Sequence, residues 1–263
     1  MNGNSSDEPV LVVVTPRLEA VWWAADYAHR RGSPLLLVHL ARDITAVTEQ
    51  LRTRFPKLPV RQRYSEDRVG DLLVAESEYA HLLVIADEGT EVFEGESVVT
   101  ALSTLARCPV VSVPPDALWG DPAAPVIVGV HDHDRSVEKL AFSFAEAERL
   151  GTGVRLVRCA PRRRSRGPAD ELTDLLREVS ARFPDVPVHS EVLGAPALSA
   201  LPWHAHFGSM VVLGSRRGGA FRGSLFRSIS RAVLRHASSP VVVIGPRCRR
   251  FSPVASDLDN ARS

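Results

Sequence analysis

The chain has 263 residues, an apolar fraction of 44% and a net charge of +1 from 32 basic and 31 acidic side chains. At about 150 residues per domain this length fits two compact units, and the balance excludes a disordered or fibrous protein and gives no chain-wide reason to expect nucleic acid or a membrane surface. The neutral total hides a split, because residues 1–120 hold 11 basic and 17 acidic side chains, net −6, whereas 121–263 hold 21 and 14, net +7.

Pro9 opens a β-branched run that reads as a first strand, followed by a helical face of Leu18, Val21, Trp22 and Ala25 that Gly32 halts. A second strand follows over Leu35–Leu40. The RFPKLPV turn from Arg54 leads to a third strand at Val60, Leu72 and Leu73 sit on a helix, and Leu82–Ala86 reads as a fourth strand. A helix over about Val98–Ala106 and a fifth strand over Pro109–Val113 complete the series. After the Pro-rich join PPDALWGDPAA from Pro114, the whole pattern recurs. PVIVGV from Pro125, the face of Val137, Leu140, Ala141 and Phe144, the stop at Gly151 and the strand Val154–Cys159 match the opening. Leu172, Leu175, Leu176 and Val179 mark a helix, RFPDVPV from Arg182 leads to a strand at Val188, and Met210–Gly214 is a fourth strand. Pro202 predicts a short or broken helix before it. A helix over Leu225–His236 and a strand over Pro240–Ile244 close the copy.

Five strands alternating with four helices require crossover connections and hence a parallel sheet covered on both faces. The fold class is therefore α/β, two Rossmann-like sandwiches, divided as a flexible tail 1–8, a first module 9–113, a linker 114–124, a second module 125–246 and a flexible tail 247–263. The apolar fifth strands would be hazardous as sheet edges, so they are expected to pair with each other in an intrachain pseudo-dimer, with a homodimer left open.

In such sheets ligands bind beyond the carboxyl ends of the strands at the switch of winding direction. After the fourth strand of the second copy, LGSRRGGAFRGSLFRSISRAVLRHA from Leu213 combines Gly214, Gly218, Gly219 and Gly223 with hydroxyls at Ser215, Ser228 and Ser230 and with Arg216, Arg217, Arg222 and Arg227. Glycines let backbone N–H groups approach an anion and a helix N-terminus adds donors, so phosphate is the expected guest. No Gly-Lys-Ser/Thr follows, so this is not a Walker loop.

That loop, the trailing SRAVLRHASSPVVVIGP, the opening PVIVGV and the strand ends LLVIADEG and MVVLGSRR make the chain resemble the universal stress protein family in its tandem form, from about Pro9 to Pro246. The resemblance implies adenine nucleotide alpha hydrolase-like sandwiches joined through their fifth strands, a stress-response regulator rather than an enzyme, and, in one branch, adenine-nucleotide binding. The family's motif is Gly, two residues, Gly, nine residues, Gly and then Ser or Thr. Gly214 and Ser228 fit it, whereas Arg217 and Arg227 stand at its second and third glycines; a Cβ where a positive φ is needed costs about 1–2 kcal/mol. His131 stands where the nucleotide-binding members carry an Asp, with Asp132 one step later, and Thr15 holds that place in the first copy. The residues so implied for ATP or another adenine nucleotide, with Mg²⁺ as an accompanying ion, are His131, Cys159, Leu213, Gly214, Ser215, Arg216, Arg217, Gly218, Ser228, Ile229 and Ser230. The alternative is a module of the same fold that binds a protein and no nucleotide.

The matching loop of the first copy, ADEGTEVFEGES from Ala86, sets Asp87, Glu88, Glu91, Glu94 and Glu96 where phosphates would lie. Like charges repel there, so this half is not expected to bind ATP; it reads as an exposed acidic loop. HDHD from His131 and HAH from His204 lack metal-motif spacing, and no metal site is expected. Ser215 lies in no nucleophile elbow, and no catalytic residue is assigned. Arg162, Arg163, Arg164 and Arg166 extend the basic rim or form a solvated linker. Trp22, Trp23 and Trp203 read as core or interface aromatics. Cys108, Cys159 and Cys248 are too sparse for a disulfide framework, MNGNSSDE is no signal sequence, and no apolar run approaches the roughly 18 residues of a bilayer span. The expected compartment is the cytoplasm, and the protein partner is unknown.

Overall fold

The structure, a computed structural model, describes residues 7–66, 69–86, 91–93, 96–115, 121–130, 137–159, 169–214, 232–248 and 251. The first half runs β1 (Val10–Val14), α1 (Glu19–Arg31), β2 (Leu35–His39), α2 (Thr45–Arg54), β3 (Val60–Tyr64), α3 (Val69–Glu76), β4 (Leu82–Ala86), β5 (Glu91–Phe93), β6 (Glu96–Ser97), α4 (Val98–Leu105) and β7 (Val110–Val113). The second runs β8 (Val126–Val130), α5 (Val137–Leu150), β9 (Val154–Cys159), α6 (Ala169–Arg182), β10 (Val188–Leu193), α7 (Ala197–Ala205), β11 (Met210–Gly214) and β12 (Val241–Ile244), with 232–236 helical before β12.

The strands form one ten-stranded sheet in the order β10-β9-β8-β11-β12-β7-β4-β1-β2-β3. Each half has the order 3-2-1-4-5 of a doubly wound sheet, all parallel, and the halves meet where β7 and β12 pair antiparallel, Val110 opposite Val243 and Ser112 opposite Val241. Neither strand is an edge, which removes the pairing hazard of two apolar rims. Their side chains are buried, as are most of those of β1, β4, β8 and β11, because parallel strands covered on both faces favour continuous apolar runs. The outermost strands β3 and β10 carry water on one side, and their sequences turn polar: VRQRY and VHSEVL.

Gly32 and Gly151 end α1 and α5 in the left-handed region, at φ 73° and 67°. Gly32 N–H there returns to the Ala28 and His29 carbonyls. Pro202 leaves its helix short, as expected, but unbroken: α7 has nine residues and continues through the proline to Ala205, because the packing of Ala200, Leu201 and Ala205 in the core outweighs one missing hydrogen bond. Within the acidic stretch, residues 91–93 and 96–97 are strand and not plain loop, since β5 and β6 form a small antiparallel pair. The chain after Arg247 is not uniformly a loose tail. Cys248 is buried, and Phe251 packs edge-on against His81 and Phe142, at 5.8 and 5.2 Å between centroids. Gly245, just past β12, lies so close to α4 that a Cβ would overlap the Ser103 carbonyl oxygen.

Candidate functional site

The second half's carboxyl rim is set by three adjacent strands, β9, β8 and β11. β8 pairs with β9 as far as Val130 opposite Arg158, but with β11 only as far as Val212 opposite Val128. Beyond Val128 the two strands part, and this is the switch point, since the crossovers leave β8 in opposite directions to β9 and β11. Val126 N–H bonds the Gly153 carbonyl on the β9 side. Peptide groups alternate along a strand, so the Gly129 carbonyl points to the β11 side, into the opening. Lys139, in the first turn of α5, donates from Nζ to that carbonyl at 2.7 Å and is only 2% exposed. It has further partners as well. Residue 20 is its counterpart in the first half, twelve positions before the helix-ending glycine in each copy, and that residue is a buried Ala. The sequence reading missed Lys139. The signal was a lysine placed among Val137, Leu140, Ala141 and Phe144, where α1 has an alanine.

Of the residues assigned from sequence, Cys159 and Gly214 end β9 and β11 on this rim, either side of β8. Leu213 is there too, but its side chain is core: a Cβ on Gly129 would lie 2.9 Å from Leu213 Cδ2 and 3.3 Å from Leu201 Cδ1. Leu213 therefore has its backbone alone to offer a ligand. Cys159 is half-buried, and burial pushes its thiol pKa up, which keeps it protonated and a poor nucleophile. His131, Ser215, Arg216, Arg217, Gly218, Ser228, Ile229 and Ser230 lie outside the described residues, as do Arg162, Arg163, Arg164, Arg166 and the rest of HDHD.

The first half repeats the geometry without the charge. β1 pairs with β4 only to Val12 opposite Val84, while β1 and β2 continue to Val14 opposite His39. Thr15 spends its hydroxyl on the Arg17 carbonyl at 2.9 Å. His39 is buried with Nδ1 2.6 Å from the Ala41 carbonyl and its ring against Tyr64. Asp87, Glu88 and Glu94 are outside the described residues.

The remaining candidates fall elsewhere. In HAH, His206 Nδ1 lies 2.9 Å from the Pro202 carbonyl on its own helix, and His204 faces Glu191 at 3.9 Å. Among the described residues no group of three or more His, Cys, Asp and Glu side chains could hold a metal ion, and no helix is long and apolar enough to cross a membrane. Trp23 is buried and stacks on Tyr27, and Trp22 is half-buried beneath the Arg54 guanidinium. Trp203, however, is 65% exposed on α7, where it touches Phe207 and His206 rather than the core.

Residues 124–245 match the model of the universal stress protein family. A universal stress protein of Mycolicibacterium smegmatis is 30% identical over 210 residues, 72% of this chain and 70% of that one. Another, from Mycobacterium tuberculosis, is 27% identical over 279 residues and spans 92% of this chain and 98% of its own length. Among solved structures, a universal stress protein from Archaeoglobus fulgidus superposes with a TM-score of 0.65 at 14% identity, over 90% of this chain and 96% of that one, and shares the fold.

Proposed function

The chain belongs to the universal stress protein family, and from that premise we propose that it is a tandem, cytoplasmic stress-response regulator that binds ATP or a related adenine nucleotide in its second module, 125–246. The observation that carries this reading is the contrast between the two rims. Both halves part their strands at the switch point, yet only the second places a buried ammonium group at the opening, on the Gly129 carbonyl. The second half also carries the net positive charge and the Gly/Arg/Ser stretch that follows Gly214. A polyanion is attracted to that rim and repelled by the acidic stretch of the first half.

In this reading Gly214, Ser215, Gly218, Ser228 and Ser230 bring backbone and hydroxyl donors to phosphate. Arg216 and Arg217 bring charge, and His131 and Cys159 flank the nucleoside. Mg²⁺ would accompany ATP on its phosphates. In this reading the chain acts by binding, and burial keeps the Cys159 thiol protonated, a neighbour of the nucleoside and not a nucleophile.

A second reading, a nucleotide-free module that binds a protein partner, is favoured by Arg217 and Arg227 at motif glycines and by His131 at the motif Asp. Two measurements separate them. Calorimetric titration of the purified chain with ATP and AMP should give saturable heat, and mass spectrometry of fresh protein should release a nucleotide. No heat from either ligand and no released nucleotide would reject the nucleotide reading in favour of the second.

A further inference from the structure

Three buried polar side chains and one half-buried arginine come together where the two halves meet. Tyr27, on α1, donates its hydroxyl proton to Glu146 Oε1, on α5, at 2.5 Å. Arg149, one turn further along α5, puts Nε and an Nη on Glu146 Oε2 at 3.0 and 2.8 Å and lays its guanidinium 4.6 Å over the Tyr27 ring. His81, just before β4, sets Nε2 3.1 Å from the Tyr27 oxygen and 3.9 Å from Glu146 Oε1. Because Tyr27 gives its single proton to Glu146, its oxygen is an acceptor, and the hydrogen bond assigns the His81 proton to Nε2. Trp23 stacks on Tyr27, and Phe251 closes over His81. Tyr27 and Arg149 donate to Glu146 and His81 donates to the Tyr27 oxygen, while the Nδ1 side of His81 faces Glu8 Oε2 at 3.8 Å.

The positions matter as much as the contacts. Tyr27 and Glu146 each precede by five residues the left-handed glycine that ends their helix, Gly32 and Gly151. They are therefore the same site in the two copies, as are Trp23 and Phe142, and His81 and Ser209, each the residue before its fourth strand. A residue meets its own equivalent only on the axis itself, so the Tyr27–Glu146 contact marks the pseudo-twofold axis. Here one copy supplies a neutral phenol and an imidazole and the other a carboxylate; an arginine precedes the helix-ending glycine by two residues in both, but Arg149 serves Glu146 whereas Arg30 pairs with Asp26. At the site equivalent to His81, Ser209 is buried with no hydrogen-bond partner among the described residues. Pairing two second halves would oppose two buried Glu146 carboxylates. Pairing two first halves would oppose two tyrosines and leave no anion for them to serve. Unlike pairing alone satisfies every group.

We propose that Tyr27, His81, Glu146 and Arg149 form a pairing key that makes the axial surface of the second half specific for a first half and rejects a like half. The fifth strands supply a mostly apolar seam, Val110 and Val111 facing Val243 and Val242 with Ser112 opposite Val241, and no charged group there selects a partner; the key supplies the choice.

The test uses the full-length chain. A double-mutant cycle of Tyr27→Phe and Glu146→Gln, read by urea unfolding, should show the double variant less destabilised than the two singles predict, by at least about fivefold in the folding equilibrium constant. Tyr27→Glu places two carboxylates on the axis. Mixing heavy- and light-isotope chains of that variant should give mixed oligomers by native mass spectrometry above the wild-type level. Adding Glu146→Gln should return the mixture to the wild-type pattern, because the carboxylate then has an amide donor and Arg149 opposite it. A purely packing role would show an additive cycle and no rescue, and either result would overturn the proposal. Should Tyr27→Glu fail to fold, the cycle of the two mild variants decides alone.

Discussion

Acidification probes the Glu146 cluster without changing its shape. The carboxyl group is fully buried, which by itself would raise its pKa; His81, the Arg149 guanidinium and the Tyr27 hydroxyl outweigh burial and hold it at about 2, against an ordinary 4.5. The folded value lies below the unfolded one, so this group adds stability that is complete above the unfolded pKa. That stability is lost as pH falls from about 4.5 towards 2. The gap corresponds to about 3 kcal/mol. Tyr27 moves the other way: burial, followed by the nearby carboxylate, raises its pKa, so it remains a hydrogen-bond donor throughout. Other carboxylates titrate in the same range, and comparison with Glu146→Gln cancels them. Urea midpoints followed by circular dichroism should show wild type and Glu146→Gln separated by a constant stability gap between about pH 7 and 5. Below about pH 4 the gap should narrow by about 1.4 kcal/mol per pH unit. A gap that stays constant down to pH 3 would refute the claim that the ionised carboxylate is what the cluster stabilises.

Gly245→Ala should destabilise the chain by about 1–3 kcal/mol or more, because its Cβ would overlap the Ser103 carbonyl of α4, which is backbone and has no rotamer to yield; a urea midpoint unchanged from wild type would count against that contact. Gly32→Ala and Gly151→Ala should each cost about 1 kcal/mol for placing a Cβ at positive φ, with no steric addition because nothing lies within 4 Å of either site. The two effects should sum in the double variant, as their sites share no partners. Lys139→Met should weaken ATP binding by about tenfold, in line with the loss of one charge-assisted contact, while Ala20→Ser, at the equivalent first-half position, leaves the calorimetric affinity unchanged; equal affinity in Lys139→Met would remove Lys139 from the site.

The order of elements was legible because the two copies annotate each other. Val60 and Val188, Leu82 and Met210, Val154 and Cys159 stand at the strand ends where the repeat places them, and Gly32 and Gly151 have the backbone conformation that a helix stop demands. Pairing of β7 with β12 follows the same physics, since two short valine runs have no other cover. What the residues did not disclose was governed by tertiary packing. Pro202 is carried inside a helix by the core beneath it, Trp203 faces water, and Cys248 and Phe251 are held by contacts that no local pattern encodes. At the rim, the Leu213 side chain fills the space that Gly129 leaves, so only its backbone is open to a ligand, a division that the sequence does not encode. Lys139 was passed over because a charge in an apolar stripe reads as an irregularity until its carbonyl partner is known.

Lys139 and Glu146 together bear on why a single chain holds two copies. In a dimer of identical modules every substitution on the axis is doubled, so a buried carboxylate there would meet its own image, and a cation at one rim would be a cation at both. Duplication within a chain lifts that constraint. Ala20 and Lys139 differ at the rim, and Tyr27 and Glu146 differ at the axis, while the left-handed glycines that end the same two helices are alike in both copies. The rim difference has value only if the halves are kept distinct, and the axial difference is what distinguishes them. Both differences lie on α1 and α5, seven residues apart along each helix, two turns from the rim to the axis. If the key is lost, like-with-like assembly would bring two charged rims into one particle, so on the nucleotide reading proposed above, variants that break the axial cluster should also change how much nucleotide each particle carries.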